Sequence, residues 1–129
     1  MIDHVSVGVR SLERSLEFYE PVLAALGFAK LVARPRTIGF GKRYAELWLN
    51  LRPDLPPIAA DSGAHVCLRA ATREAVDAFH RVALARGGSD DGAPGPRDHD
   101  DPTQVYYAAF ARDPDGNRIE AVTFIPRSE

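Results

Sequence analysis

From Ile2 to Val9 apolar and polar side chains alternate, with Val5, Val7 and Val9 on one face and His4, Ser6 and Gly8 on the other. That period of two predicts a half-buried strand. Ser11 stands at an N-cap position before Leu12, Leu16, Tyr19, Leu23 and Leu26, whose spacing of four, three, four and three makes one helical stripe. Pro21 falls inside this helix and should kink it, because proline removes a backbone donor and crowds the preceding turn. Gly27 is placed for the left-handed residue that ends it. Phe28 to Arg34 and Thr37 to Phe40 read as short strands around Pro35, and Gly41–Lys42 as a tight turn. Tyr44 to Leu51 is a strong strand, with Ala45, Leu47, Leu49 and Leu51 on its apolar face and Tyr44, Glu46, Trp48 and Asn50 opposite.

Residues 52–62 hold Pro53, Pro56 and Pro57 and cannot continue a ladder, so they form a connector. The pattern then repeats. Ala64 to Ala70 alternates as a strand, with His65, Cys67 and Arg69 opposite Val66 and Leu68, and Thr72 caps a helix carrying Val76, Phe79 and Ala83. Residues 87–103 are rich in Gly, Pro and Asp and read as the longest irregular segment, with at most one short edge strand. Gln104 to Arg112 and Asn117 to Ile125 make a hairpin around Asp113-Pro114-Asp115-Gly116, pairing Arg112 with Asn117 and Ala109 with Glu120. At a constant offset of sixty-one His4 matches His65, Val5 matches Val66, Ser11 matches Thr72, Phe18 matches Phe79 and Gly27 matches Gly88. A duplicated unit follows. The fold class is α+β: one domain over 1–129, built from two tandem βαβββ modules at 1–51 and 63–129. Together they form a curved mixed sheet, a cup, with the helices on its convex side.

Composition changes this picture little. The 129 residues are 45% hydrophobic and 26% charged, which fits one globular domain. A net charge of −2 and scattered Lys and Arg speak against nucleic acid as a partner. No apolar run approaches the ~20 residues that span a bilayer. Cys67 is the only cysteine, which excludes an intrachain disulfide, and no signal peptide is visible. The expectation is a cytoplasmic protein with no membrane partner.

The candidate chemistry lies on the concave face. Alternation puts His4, Glu46, His65 and Glu120 there, and a carboxylate among apolar strand neighbours is costly unless it is partnered. A lone strand histidine is ordinarily structural, and a lone strand glutamate can pair with an arginine such as Arg118 or Arg69. Four such residues, two of them at duplicated positions, favour a shared divalent cation. Imidazole nitrogens with carboxylate oxygens suit Ni, Co, Zn, Mn or Fe(II) rather than a closed structural zinc site. Trp48 and Tyr107 are expected to line the substrate pocket, and Cys67 to fill space as a small buried hydrophobe. Asp98, His99, Asp100 and Asp101 form a second acidic group, better read as a solvated loop.

Ile2-Asp3-His4-Val5, the helix Leu12-Glu13-Arg14-Ser15-Leu16-Glu17-Phe18-Tyr19 and the segment Phe110-Ala111-Arg112-Asp113-Pro114-Asp115-Gly116-Asn117-Arg118-Ile119-Glu120 resemble the vicinal oxygen chelate superfamily. It includes glyoxalase I, extradiol dioxygenases, and fosfomycin- and bleomycin-resistance proteins, and the likeness covers essentially the whole chain. In ligand pattern the chain is most similar to glyoxalase I, which implies metal ligation by His4, Glu46, His65 and Glu120, with Glu120 as the base. Asn50 matches an asparagine that glyoxalase I turns toward glutathione. At Gly8 the chain departs from that enzyme, whose strand carries an arginine for the glutathione carboxylate. Arg10, two residues on, either points outward or reaches around the edge.

The resemblance therefore implies a metal-dependent lyase or isomerase that moves a proton through an enediolate of a small substrate chelated by adjacent oxygens. Glutathione or another thiol is a possible partner, and a homodimer is expected because relatives complete their cups with strands from both subunits. Two alternatives stand beside this. One is a metal-free small-molecule binding or resistance protein. The other is an Fe(II) extradiol dioxygenase using His4, His65 and Glu120, against which Glu46 argues as a fourth ligand.

Overall fold

The computed structural model describes residues 1–127. Its strands are β1 (Val5–Val9), β2 (Ala29–Ala33), β3 (Thr37–Gly41), β4 (Ala45–Leu51), β5 (Val66–Arg69), β6 (Ser89–Arg97), β7 (Gln104–Arg112) and β8 (Arg118–Pro126). Helix α1 (Leu12–Ala24) follows β1 and α2 (Arg73–Ala85) follows β5. The result is the expected pair of βαβββ modules, each a four-stranded mixed sheet, in the orders β1-β4-β3-β2 and β5-β8-β7-β6. In each sheet the first strand lies parallel to the last and the other pairs are antiparallel. The edges β1 and β5 share the lining of two cavities along the seam between the sheets. Neither helix is long and apolar enough to cross a membrane.

One core joins the halves on the helix side. Leu47 and Leu49 of β4, Phe18 and Val22 of α1, Phe79 and Ala83 of α2, and Ile119 and Ala121 of β8 all belong to it. Both helices begin as the sequence predicts: the Ser11 and Thr72 hydroxyls accept from the backbone N–H groups of Arg14 (3.2 Å) and Ala75 (3.1 Å). The buried positions Ser15, Phe18, Tyr19 and Val22 recur, sixty-one residues on, as Val76, Phe79, His80 and Ala83. The α1 stripe is therefore wider than predicted, with Phe18 and Val22 joining Tyr19 and Leu23 at its centre. Helix α1 runs on through Pro21 to Ala24.

Helix α2 ends before the Gly87–Gly88 pair, of which Gly87 is the left-handed residue (φ +96°), so the offset from Gly27 is sixty there. Gly88 instead lies where backbone and core close in. A Cβ there would meet the Phe18 ring at 2.5 Å and the Arg112 carbonyl oxygen at 2.6 Å. Two other expectations are corrected. The 87–103 segment is not mainly irregular: Ser89–Arg97 forms a full edge strand, twice out of register with β7. Its Pro94 and Pro96 are tolerated because an outer edge needs no donor. Finally, the β7–β8 hairpin is shifted by one residue, pairing Arg112 with Arg118 and Phe110 with Glu120. The shift arises because Asn117 belongs to the turn, where its carbonyl accepts from the Asp113 N–H at 2.9 Å.

Candidate active site

The turn that presents β8 is locked from inside. Asp113 accepts bonds from the Asp115 and Asn117 backbone N–H groups (2.9 and 2.8 Å), the Asn117 side chain (2.8 Å) and the Tyr19 hydroxyl (2.6 Å). Burial dominates the balance at Asp113 and raises its pKa despite these donors; it also pushes the Tyr19 phenol well up. Arg10 and Arg14 both reach Asp115 at 2.9 Å. Arg10 further donates to the carbonyls of Leu55 and Pro56, so it ties the connector and hairpin to the first half. It reaches around the edge and is fully engaged there.

This frame holds Glu120, 2% exposed, at the root of β8. Its Oε1 lies 2.9 Å from His65 Nε2, and Tyr106 donates its hydroxyl to Oε2. Burial and the hydrogen bond to Glu120 both raise the Tyr106 pKa, so this phenol remains a donor. Arg118 is bound to Asp91 (2.8 Å), and Arg69 lies over the Phe124 ring. Glu120 thus pairs with neither arginine.

His4, Glu46 and His65 line one seam cavity of about 340 Å³, together with Cys67. His4 is exposed and bonded to its neighbour Asp3 at 2.7 Å. Glu46 is half-buried, with no hydrogen-bond partner among the described residues. No three His, Cys, Asp or Glu side chains among the described residues converge tightly enough to grip a cation. Their chemistry nevertheless fits one. Two imidazoles and two carboxylates are a donor set for a borderline divalent ion. The 2.9 Å between His65 Nε2 and Glu120 Oε1 is close to the ~3 Å that separates adjacent ligands at bond lengths of about 2.1 Å.

Trp48 faces the concave side as expected, under the Arg34 guanidinium (5.4 Å to the ring centre), in a neighbouring cavity that His4 also lines. Asn50 is half-buried on the same face, beside Gly8 and Thr37. Tyr107 is a correction. Its ring belongs to the helix-side core and its hydroxyl donates to Asp77 of α2 at 2.6 Å. The residue that reaches the site is Tyr106. Two adjacent tyrosines disguise this in the sequence, because either could be assigned the concave face until the register is known. Cys67 is a second correction: it is exposed rather than buried, with Sγ 4.0 Å from the Tyr106 oxygen. Its sulfur is nonetheless partly desolvated against Tyr106, and this, then the Glu120 charge, push the thiol up to about 12. His99 leaves the acidic loop to lie against Tyr106 and Phe124.

The sequence model of the Glyoxalase/Bleomycin resistance protein/Dioxygenase superfamily matches residues 1–121. The chain belongs to this superfamily. A glyoxalase/bleomycin resistance protein from Albidiferax ferrireducens T118 is 33% identical, with a TM-score of 0.77 over 92% of this chain and 94% of that one. Two further structures share the superfamily fold at lower identity. A glyoxalase/bleomycin resistance protein/dioxygenase family enzyme from Burkholderia phytofirmans PsJN is 20% identical (TM-score 0.69, 94% and 96% covered). A glyoxalase-related enzyme from Fulvimarina pelagi is 19% identical (TM-score 0.69, 95% and 86% covered). The superfamily includes enzymes, and its members commonly bind divalent metals and small molecules.

Proposed function

We propose that this chain is a metal-dependent enzyme of glyoxalase type, a lyase or isomerase that moves a proton between adjacent carbons of a small oxygenated substrate. The observation that carries this reading is the buried Glu120 carboxylate, fixed between His65 and Tyr106, beside the cavity that His4 and Glu46 share with His65. His4, Glu46, His65 and Glu120 would hold the metal (Ni, Co, Zn, Mn or Fe). A divalent ion bound there supplies Lewis acidity toward two adjacent substrate oxygens as they gain negative charge.

The chain's own groups do the rest. Glu120 takes the proton from one carbon and returns it to its neighbour. The Tyr106 hydroxyl fixes one carboxylate oxygen, so the other has a defined direction. Trp48 and Asn50 line the approach from the first half. Glutathione is the weaker choice of thiol, because Gly8 offers no cation and Arg10 is spent on Asp115 and the connector. We read the protein as a cytoplasmic homodimer.

One observation favours a second reading, a metal-free binding protein of the same fold: both Glu120 oxygens already have partners within the chain. Metal analysis of the purified protein and of His65→Ala, with assay of the methylglyoxal hemithioacetal across several metals, separates the two. Stoichiometric metal that is lost in His65→Ala, together with turnover, supports the enzyme. Absence of any bound divalent ion overturns it. Metal without turnover removes only the glyoxalase substrate.

A further inference from the structure

Beyond Glu120, the concave face of the second half carries a cation that meets no acceptor among the described residues. Arg69 is exposed, its guanidinium lies 4.6 Å over the Phe124 ring, and it has no acceptor among the described residues. Nearby arginines are committed. Arg97 donates to the carbonyls of Ala93, Gly95 and Pro96, and Arg112 and Arg118 hold Asp91. Arg34 stacks on Trp48, but in the other half, in a cavity that also contains Asp3. A guanidinium held over an aromatic ring that meets no acceptor keeps N–H donors available to a planar oxyanion.

The surroundings make a shelf rather than an isolated side chain. Phe124 meets Tyr106 edge to face at 5.2 Å, and His99 lies against both rings at 5.3 and 5.5 Å. The same Tyr106 donates to Glu120, so the shelf and the acid share a wall. The register sets the strand spacing: Cys67 pairs with Glu120 and Arg69 with Val122, so the two backbone positions are about 6.6 Å apart along the strand. The guanidinium reaches on to Phe124, two residues beyond Val122.

We infer that Arg69, seated on Phe124, is the specificity-determining residue for a substrate bearing a second, distal carboxylate a few bonds from its reacting carbon. The inference rests on the enzymatic reading above for what happens at Glu120, but not for binding at Arg69. Two probes of equal chain length test it: 2-oxoglutarate, which carries the distal carboxylate, and 2-oxopentanoate, which lacks it. Calorimetric titrations use the protein with Ni(II) added and after EDTA treatment. Wild type should prefer 2-oxoglutarate by about three- to fivefold, the strength of an exposed ion pair. Arg69→Met should erase the preference while leaving 2-oxopentanoate affinity unchanged, which also shows that the variant is folded. Arg69→Lys should keep part of it. Equal affinities in wild type, no binding of 2-oxoglutarate at millimolar concentration, or a preference that survives in Arg69→Met overturns the assignment. Loss of the metal reading looks different: Ni(II) then changes neither affinity, while the Arg69-dependent preference persists in both preparations.

Discussion

The two halves repeat one plan but differ in how firmly they hold their candidate ligands. In the second half His65, Glu120 and Tyr106 form one hydrogen-bonded chain over a nearly inaccessible carboxylate. In the first half His4, exposed like His65, is turned to Asp3, and Glu46 has no hydrogen-bond partner among the described residues. The duplication kept the histidines at matching points, but the glutamates differ in register. Glu120 lies opposite Cys67, whereas Ser6, the match of Cys67, lies opposite Trp48, and pre-organisation belongs to one copy. A carboxylate can be buried only when donors meet it, and only the second half has a strand-borne tyrosine at the right register. On the proposed function, the first half receives and the second acts.

The largest effect should come from breaking the ordered half at its centre. Glu120→Gln keeps the shape and a hydrogen-bonding partner for Tyr106 but removes the proposed base. Turnover of the hemithioacetal should fall by about 10³-fold, within the range of general-base loss. Steady-state kinetics on metal-loaded protein checks it, and retention of most activity would move the base to Glu46. Next in size is the contrast between the duplicated histidines. His65→Ala should weaken metal binding by at least about 100-fold, since it also unhooks Glu120, while His4→Ala should cost about tenfold. Competition with a chelator measures both; equal losses would mean that the two halves contribute equally.

Much of this asymmetry could not be read from the chain. Period-two alternation is enough to put Glu46 and Glu120 on one face of β4 and β8, with His4 and His65 immediately before β1 and β5, because a half-buried strand has only two faces. The capped helices were legible for a similar reason, since Ser11 and Thr72 act within one turn. Tyr106 was missed because its direction depends on the β7–β8 register, which turns on whether Asn117 belongs to the loop. Beside it the adjacent Tyr107 offers an equally good aromatic. The 89–97 strand was hidden by its composition: glycines and prolines that read as a loop are admissible on an outer edge with bulges. That Arg118 and Arg69 leave Glu120 alone is a tertiary fact, decided by Asp91 and Phe124 from other strands.

The helix ends allow a test on stability alone. Gly27→Ala places a side chain in a left-handed conformation (φ +82°), but in open surroundings, where the nearest atom is the Lys42 Cε at 3.5 Å. It should cost about 1 kcal/mol. Gly88→Ala keeps an ordinary backbone but drives a methyl into Phe18 and two carbonyl oxygens, at 2.5 to 2.8 Å. That overpacking should cost about 3 kcal/mol, or roughly 10 °C in Tm for a domain of this size. Thermal unfolding of the two variants gives the ratio. Equal shifts would show that the second helix end yields as easily as the first.

The smallest contrast concerns surface charge. Asp91 is mostly covered and is held by Arg118 at 2.8 Å and Arg112 at 3.1 Å. Partial burial works against its ionisation, but the two guanidinium groups prevail and hold its carboxyl below the usual range. The first half's Glu20–Lys30 pair is longer, at 3.3 Å, and exposed on both sides. A carboxyl whose pKa is lower in the folded state stabilises the protein above its unfolded pKa and loses that contribution as pH falls through the folded value. Asp91→Asn should therefore cost about 1 kcal/mol at neutral pH and progressively less toward about pH 3, whereas Glu20→Gln should cost almost nothing at either. Urea unfolding at the two pH values measures the difference. An Asp91→Asn penalty that persisted undiminished in acid would assign the role of Asp91 to shape and neutral hydrogen bonding rather than to charge.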